Sequence, residues 1–138
     1  MEANVPLVGE LMSPAPPNLR SDRTLEEAAQ FFRENRVSVA PVITPAGNFV
    51  AVMSEFQLVK FFLKRSQETP NNLFVGNYVN DMEPPKIIEE LQTVTEAFRQ
   101  MVEAPSRRVF VLRAGQIVGV VEPNVLYDFL IARDRRAP

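Results

Sequence analysis

An α+β fold made of two copies of one unit is what this sequence predicts, and three observations carry the prediction. Short blocks recur about 70 residues apart. Each copy holds an amphipathic helix that opens with the same capping pattern. Each copy then has two β-rich runs around a turn, followed by a second apolar helix. The unit reads βαββα, and the expectation is two such units packed through their sheets about a pseudo-two-fold axis. A half of about 60 residues buries too little surface to be secure alone.

The repeat is visible in three ordered blocks. Met12-Ser13-Pro14 returns as Met82-Glu83-Pro84, at an offset of 70. Thr24-Leu25-Glu26-Glu27-Ala28 returns as Thr93-Val94-Thr95-Glu96-Ala97, at an offset of 69. Gly47-Asn48-Phe49-Val50-Ala51-Val52 returns as Gly115-Gln116-Ile117-Val118-Gly119-Val120, at an offset of 68. The one-residue drifts fall between elements, where loops absorb deletions.

A short extended piece around Leu19, matched by Ile88, precedes the first helix of each copy. Leu25, Ala28, Ala29 and Phe32 then lie at i, i+3, i+4 and i+7, and Val94, Ala97, Phe98 and Met101 repeat them. Thr24 and Thr93 stand before these stripes with Glu27 and Glu96 three residues on, a capping-box signature. The first strand is read at Ser38–Ile43 and at Arg107–Leu112. Turns at Pro45–Asn48 and Ala114–Gln116 lead into Phe49–Met53 and Ile117–Val121, completing hairpins. The closing helices are read at about Ser54–Arg65 and Glu122–Arg133, where Pro123 suits a first helical turn. Ser66–Phe74 is polar and turn-rich and reads as the connection, giving repeats at 1–65 and 75–138 around a linker at 66–74.

Absences narrow the function. With no cysteine there is no disulfide, thiolate nucleophile or cysteine-ligated zinc, and with no histidine the commonest general base and metal ligand go too. No catalytic set and no metal site are expected. A net charge of −2 gives no pull toward nucleic acid, and the Arg133–Arg136 tail is too short to supply one. Met1-Glu2-Ala3-Asn4 has neither a basic start nor an apolar stretch, and no run approaches the ~20 apolar residues of a bilayer span. A cytoplasmic protein without a membrane partner is expected.

The Met-x-Pro entry, the Thr-Leu-x-Glu-Ala helix start, Val-Ala-Pro-Val at Val39–Val42 and the hairpin into Phe49–Ser54 resemble the cystathionine-β-synthase (CBS) domain family. The resemblance covers about Val8 to Arg133. It implies a tandem pair, often called a Bateman module, that dimerises and regulates a client enzyme, channel or transporter. It implies a stand-alone, non-enzymatic module that requires no cofactor and senses AMP, ADP, ATP or another adenosyl ligand in clefts between the halves.

The family's second helix opens with Ser/Thr-x-x-Asp, which holds ribose hydroxyls. Here the first copy reads Ser54-Glu55-Phe56-Gln57, keeping the hydroxyl but replacing the acid by an amide. The loss of a charge-assisted hydrogen bond costs ~1–2 kcal/mol, roughly tenfold in affinity. The second copy, Glu122-Pro123-Asn124-Val125, keeps neither group. Some family members carry a basic pair before the Pro-Val strand for phosphate; Arg107 and Arg108 match it in the second copy, Ser38 and Val39 do not. The resemblance therefore implies one usable site of Ser54, Gln57, Arg107 and Arg108. It puts Asn18, Leu19 and Arg20 where the family pocket has its floor, with Ala40 and Pro41 as further candidates; a strand edge explains Asn18, Leu19 and Arg20 equally well. The residues by themselves leave other readings open. Ser54 is a good N-cap in its own right, and paired arginines beside a strand are ordinary solvated residues. Strand alternation lets only one of the two face a site.

The closing helices carry a core stripe, Leu58, Phe61 and Phe62, echoed by Leu126, Phe129 and Leu130. A second stripe of Phe56, Val59 and Leu63, echoed by Tyr127 and Ile131, predicts a homodimer surface. The alternative to ligand sensing is a dimerisation or interaction module whose nucleotide sites have decayed.

Overall fold

The computed structural model describes residues 5–136, with side chains through residue 132. The elements run α1 (Val8–Leu11), β1 (Ser13–Pro14), β2 (Leu19–Arg20), α2 (Leu25–Asn35), β3 (Val39–Ile43), β4 (Phe49–Ser54) and α3 (Glu55–Gln67). A 3₁₀ helix (Val75–Asp81) leads to β5 (Ile87–Glu89), α4 (Val94–Val102), β6 (Val109–Arg113), β7 (Gln116–Val121) and α5 (Pro123–Arg136). This is an α+β fold with two sheets and two copies of the expected strand–helix–strand–strand–helix order. The chain forms two compact units, one of residues 16–85 and one joining residues up to 15 with those from 86 onward.

In the 16–85 unit, α2 starts where the cap predicts. Thr24 Oγ1 accepts from the Glu27 N–H at 3.1 Å, and the Glu27 carboxylate accepts from the Thr24 N–H at 2.9 Å. The helix buries Leu25, Ala28 and Phe32, then stops at Arg36, whose φ of 53° is left-handed. Its sheet is ordered β2-β3-β4, with β2 parallel to β3 and β3 antiparallel to β4. Gly47, at φ 93°, supplies the positive angle that the hairpin turn requires. The 3₁₀ helix closes this core from below the linker in sequence. Val75 and Tyr78 are buried in it, the Tyr78 ring stacks 4.9 Å from Phe61, and the Tyr78 hydroxyl donates to the Asn72 carbonyl at 2.7 Å.

The other unit has a sheet ordered β1-β7-β6-β5. Its core holds Ile88, Val94, Ala97, Met101, Val109, Val111, Val121 and Leu126, together with Val8 from the N-terminal arm. The arm is stitched in by its backbone. The Val8 N–H donates to Gln92 O at 2.7 Å, Gly9 N–H to Glu90 O at 2.8 Å, and Val94 N–H to Pro6 O at 3.1 Å. Burying Val8 fully is worth about 1.5–3 kcal/mol by area.

The two Met-x-Pro entries are thus exchanged between the sequence repeats. Ser13 of the first entry pairs with Val120 on β7, and Glu83 of the second pairs with Val52 on β4. Val52 and Val120 are equivalent positions, 68 residues apart. Each repeat lends its entry to the unit built by the other.

Three expectations need correction. Phe98 is 50% exposed and Leu130 41% exposed, although both were placed in core stripes. Phe98 sits one position, about 100°, beyond Ala97, at the rim of a stripe that α4 fills with Val94, Ala97 and Met101. Its counterpart Ala29 is small enough to tuck in half-buried there; a phenyl ring is not. Leu130 stands at the same offset beside the partly buried Phe129. The third concerns β6, which begins at Val109 and not at Arg107. Arg107 has φ 56°, a left-handed angle incompatible with a strand.

Candidate functional site

The start of α3 is the first place to look. β4 delivers Ser54 opposite Val39, one register step from the Ala40–Met53 pair and two from Pro41–Val52. Ser54 keeps an extended backbone and caps the helix. Its Oγ accepts from the Gln57 N–H at 3.1 Å, while Gln57 Oε1 accepts from the Ser54 N–H at 3.0 Å. Both side chains are half-buried. This reciprocal box uses one acceptor lone pair on each, leaving the Ser54 O–H and the Gln57 Nε2 amide hydrogens as donors. An amide in place of a carboxylate therefore adds donors to this helix start and removes its negative charge.

Leu19 and Ala40 belong to the buried cluster of this unit. Leu19 pairs with Val42 on β3, and Ala40 lies two residues from Val42, so all three share one sheet face. Pro41 is buried too, and alternation turns it to the opposite face. Leu19 and Ala40 are thus core residues first.

A cavity of about 320 Å³ opens beside them in the same unit, lined by Asn18, Leu19, Arg20, Arg23, Glu27, Gln30, Phe31 and Glu34. Of the residues singled out from sequence for the site, it takes in Asn18, Leu19 and Arg20, and none of Ser54, Gln57, Ala40, Pro41, Arg107 or Arg108. Its charges are paired locally: Arg20 binds Asp22 through two nitrogens, at 3.0 and 2.7 Å, and Arg23 lies 3.4 Å from Glu27. The Arg20 hydrogen bond holds the Asp22 carboxyl below its ordinary value. The Thr24 backbone N–H, ahead of Arg23, does the same for Glu27. The signal for this wall was present in the spacing of Glu27, Gln30 and Glu34, the polar face of α2 at i, i+3 and i+7, with Arg23 just ahead of the helix.

Arg107 and Arg108 lie in the other unit, and each already has partners. The Arg107 guanidinium donates to the carbonyls of Met101 and Val102, closing the C-terminal end of α4. The Arg108 guanidinium donates to Ser106 O at 2.9 Å and lies 3.3 Å from the Glu122 carboxylate. Glu122 occupies the position equivalent to Ser54, 68 residues on. The second copy therefore places an acid where the first has a hydroxyl, and spends that acid on the neighbouring arginine.

A family model described as the CBS domain matches residues 8–64 and again 75–126. The chain belongs to the CBS domain family. The CBS domain-containing protein CBSX2, chloroplastic, of Arabidopsis thaliana is 30% identical over 66 residues, 48% of this chain and 28% of that protein. This CBS pair thus matches little more than a quarter of that relative's length. Solved structures share the fold over nearly the whole chain. CBSX2 in complex with AMP superposes with a TM-score of 0.72 at 21% identity, covering 94% of this chain and 98% of that one. The CBS domain of a bacterial CNNM/CorC family Mg²⁺ transporter, in complex with ATP, gives 0.70 at 19% identity, covering 91% and 87%. The CBS domain pair of protein MJ0100, with 5-methylthioadenosine and S-adenosyl-L-methionine, gives 0.68 at 16% identity, covering 94% and 98%.

The closing helices of this CBS pair do show the second apolar stripe on their surfaces. Phe56, Val59 and Leu63 are exposed on α3, and Tyr127 and Ile131 on α5. The Lys60 ammonium sits 5.0 Å from the Phe56 ring centre, a cation–π contact on that surface. Among the described residues no helix is long and apolar enough to cross a membrane.

Proposed function

We propose that this CBS pair is a regulatory module, not an enzyme, that senses an adenine nucleotide or related adenosyl ligand. The reading is carried by the two matched CBS domains, in a fold shared with pairs solved with AMP, ATP and S-adenosyl-L-methionine. The start of α3 supports it, since Ser54 and Gln57 still offer donors to ribose oxygens. Arg107 and Arg108 are the candidates for phosphate, since each guanidinium has N–H donors beyond those bonded internally. Isothermal titration with AMP, ADP, ATP and S-adenosyl-L-methionine is the test. Saturable binding weakened by Ser54→Ala and by Arg108→Ala is the expected result. Binding that survives Arg107→Ala and Arg108→Ala together removes the arginines from the site; no binding to any of the four ends the sensing role.

A second reading, an interaction module with degenerate sites, draws support from the Arg108–Glu122 pair and the Arg107 cap. A thermal-shift screen separates the two readings, because a ligand at 100 times its Kd adds about 2.7 kcal/mol to stability. Under either reading we assign Phe56, Val59, Leu63, Tyr127 and Ile131 to a homodimer surface. Sedimentation velocity tests this, and a mass fixed at the monomer across concentration removes the dimer. A client enzyme or transporter and a cytoplasmic location belong to the same proposal and rest on the sequence resemblance.

A further inference from the structure

The arm is held in its unit by short elements, and one methionine joins them. α1 has four residues, β1 has two, and Met12 alone lies between them. Its N–H donates to the Val8 carbonyl at 2.8 Å, closing α1, and Ser13 and Pro14 then pair with Val120 and Gly119. The Met12 side chain packs against the core cluster that Val8 enters. Its thioether lies over the backbone of β7, because a Cβ on Gly119 would stand 2.5 Å from Met12 Sδ and 2.8 Å from the Ser13 carbonyl oxygen. Glycine leaves the room that the sulfur fills.

The described methionines differ sharply in their access to solvent. Met53, Met82 and Met101 are buried, with exposures of 0%, 7% and 5%, whereas Met12 is only half-buried. Met82 stands at the equivalent repeat position, 70 residues on, so the contrast is one of surroundings and not of residue type. The chain has no cysteine, and no thiol therefore competes with the thioether for an oxidant.

From this we propose that Met12 is an oxidative modification site, whose sulfoxide loosens the arm from β7. The oxidant is a hydroperoxide, in the simplest case hydrogen peroxide. A sulfur lone pair takes one peroxide oxygen as the O–O bond breaks and an S–O bond forms. Sulfur is oxidised by two electrons, and the remaining oxygen leaves as water. The product is polar, and its oxygen needs a hydrogen-bond donor or water. The Ser13 carbonyl, which crowds the same spot on β7, can only accept. The oxidised side chain turns outward and withdraws its contact over Gly119, which leaves the arm to its short backbone pairing and to Val8. Methionine sulfoxide is reduced enzymatically, so the change is reversible.

The test treats the full-length protein with hydrogen peroxide, maps the added oxygen by peptide mass spectrometry, and follows amide hydrogen exchange. Met12 is expected to gain oxygen while Met53, Met82 and Met101 stay reduced. The Val8 and Gly9 amides, bonded to Gln92 and Glu90, then lose protection, and the amides of the 16–85 unit keep theirs. Treatment with methionine sulfoxide reductases restores the arm. Met12→Leu keeps an apolar side chain of similar size, so its arm stays protected with and without peroxide. Oxidation of Met82 as fast as Met12 overturns the proposal. So does a Met12 sulfoxide that leaves Val8 and Gly9 protected, or an arm that loosens in peroxide-treated Met12→Leu.

Discussion

The two strands that receive the exchanged entries, β4 and β7, differ at one decisive position. Ala51 on β4 is buried with an ordinary methyl group, whereas its equivalent on β7 is Gly119, pressed against Met12 and Ser13. On β4 the second entry makes an isolated bridge at Val52–Glu83; on β7 the first entry makes a two-residue strand. A repeat that diverges need not diverge in its core. Here the divergence sits where a segment foreign to the repeat must approach, and the closer approach falls to the first entry.

Making the two strands alike is the most forceful way to break that comparison. Gly119→Ala installs the β4 residue on β7, and the Ser13 carbonyl, being backbone, cannot simply swing aside. A loss of about 1–3 kcal/mol in urea unfolding is expected, as for overpacked sites. Limited proteolysis near Met12 should accelerate in step. The reciprocal Ala51→Gly removes a buried methyl and frees the backbone, costing about 1 kcal/mol without changing cleavage near Met12. Equal proteolysis in both variants would mean that Gly119 does not hold a place for the arm.

Helix starts give a subtler contrast. Thr24 has the full reciprocal box with Glu27, whereas Thr93 accepts from Glu96 N–H at 3.3 Å and Glu96 turns its carboxylate to Arg99 at 3.0 Å. Thr24→Ala and Thr93→Ala should each cost about 1 kcal/mol. Glu27→Ala should then cost measurably more than Glu96→Ala, because only Glu27 satisfies a backbone donor. Chemical denaturation of the four variants checks the order, and an equal pair of glutamate effects would refute the distinction.

How much of this was readable beforehand depends on the reach of each interaction. The caps at Thr24, Ser54 and Thr93 lie within three residues of what they bind, and the sequence shows them directly. The βαββα order follows likewise from periods of 3.6 and 2. The exchanged entries were out of reach: Ser13 and Val120 stand 107 residues apart, and nothing local at either marks the pairing. Gly119 was seen as a repeat position, but its need to be glycine comes from Met12. At the candidate site the residue types were legible and their partners were not. Arg107 departs from a strand because its φ is left-handed, and Arg108 meets Glu122 only once the β6–β7 hairpin has folded. Phe98 shows the limit of amphipathic patterns, since a stripe facing a core and one facing solvent read alike from spacing.

The smallest effect, and the one that compares the units most evenly, is on acid stability. In the 16–85 unit, hydrogen bonds from Arg20, Arg65 and the Thr24 N–H lower Asp22, Glu26 and Glu27 respectively; in the other unit the Arg113 hydrogen bond lowers Glu90. A carboxyl lowered on folding binds fewer protons in the native state than in the unfolded chain. Its contribution is complete above the ordinary values of 3.8 for Asp and 4.5 for Glu, and it drains away as pH falls through the lower folded values. All four groups are solvated, so each contribution is slight and salt-sensitive. With three such groups against one among the described residues, amide exchange protection in the 16–85 unit should fall first as pH drops below 4.5. Glu26→Gln should flatten that decline in the 16–85 unit and leave the other unit's profile as it was. Were the amides of β6 and β7 to lose protection first, the ion pairs would not be what sets the acid limit, and the arm's short pairing with β7 would become the place to look.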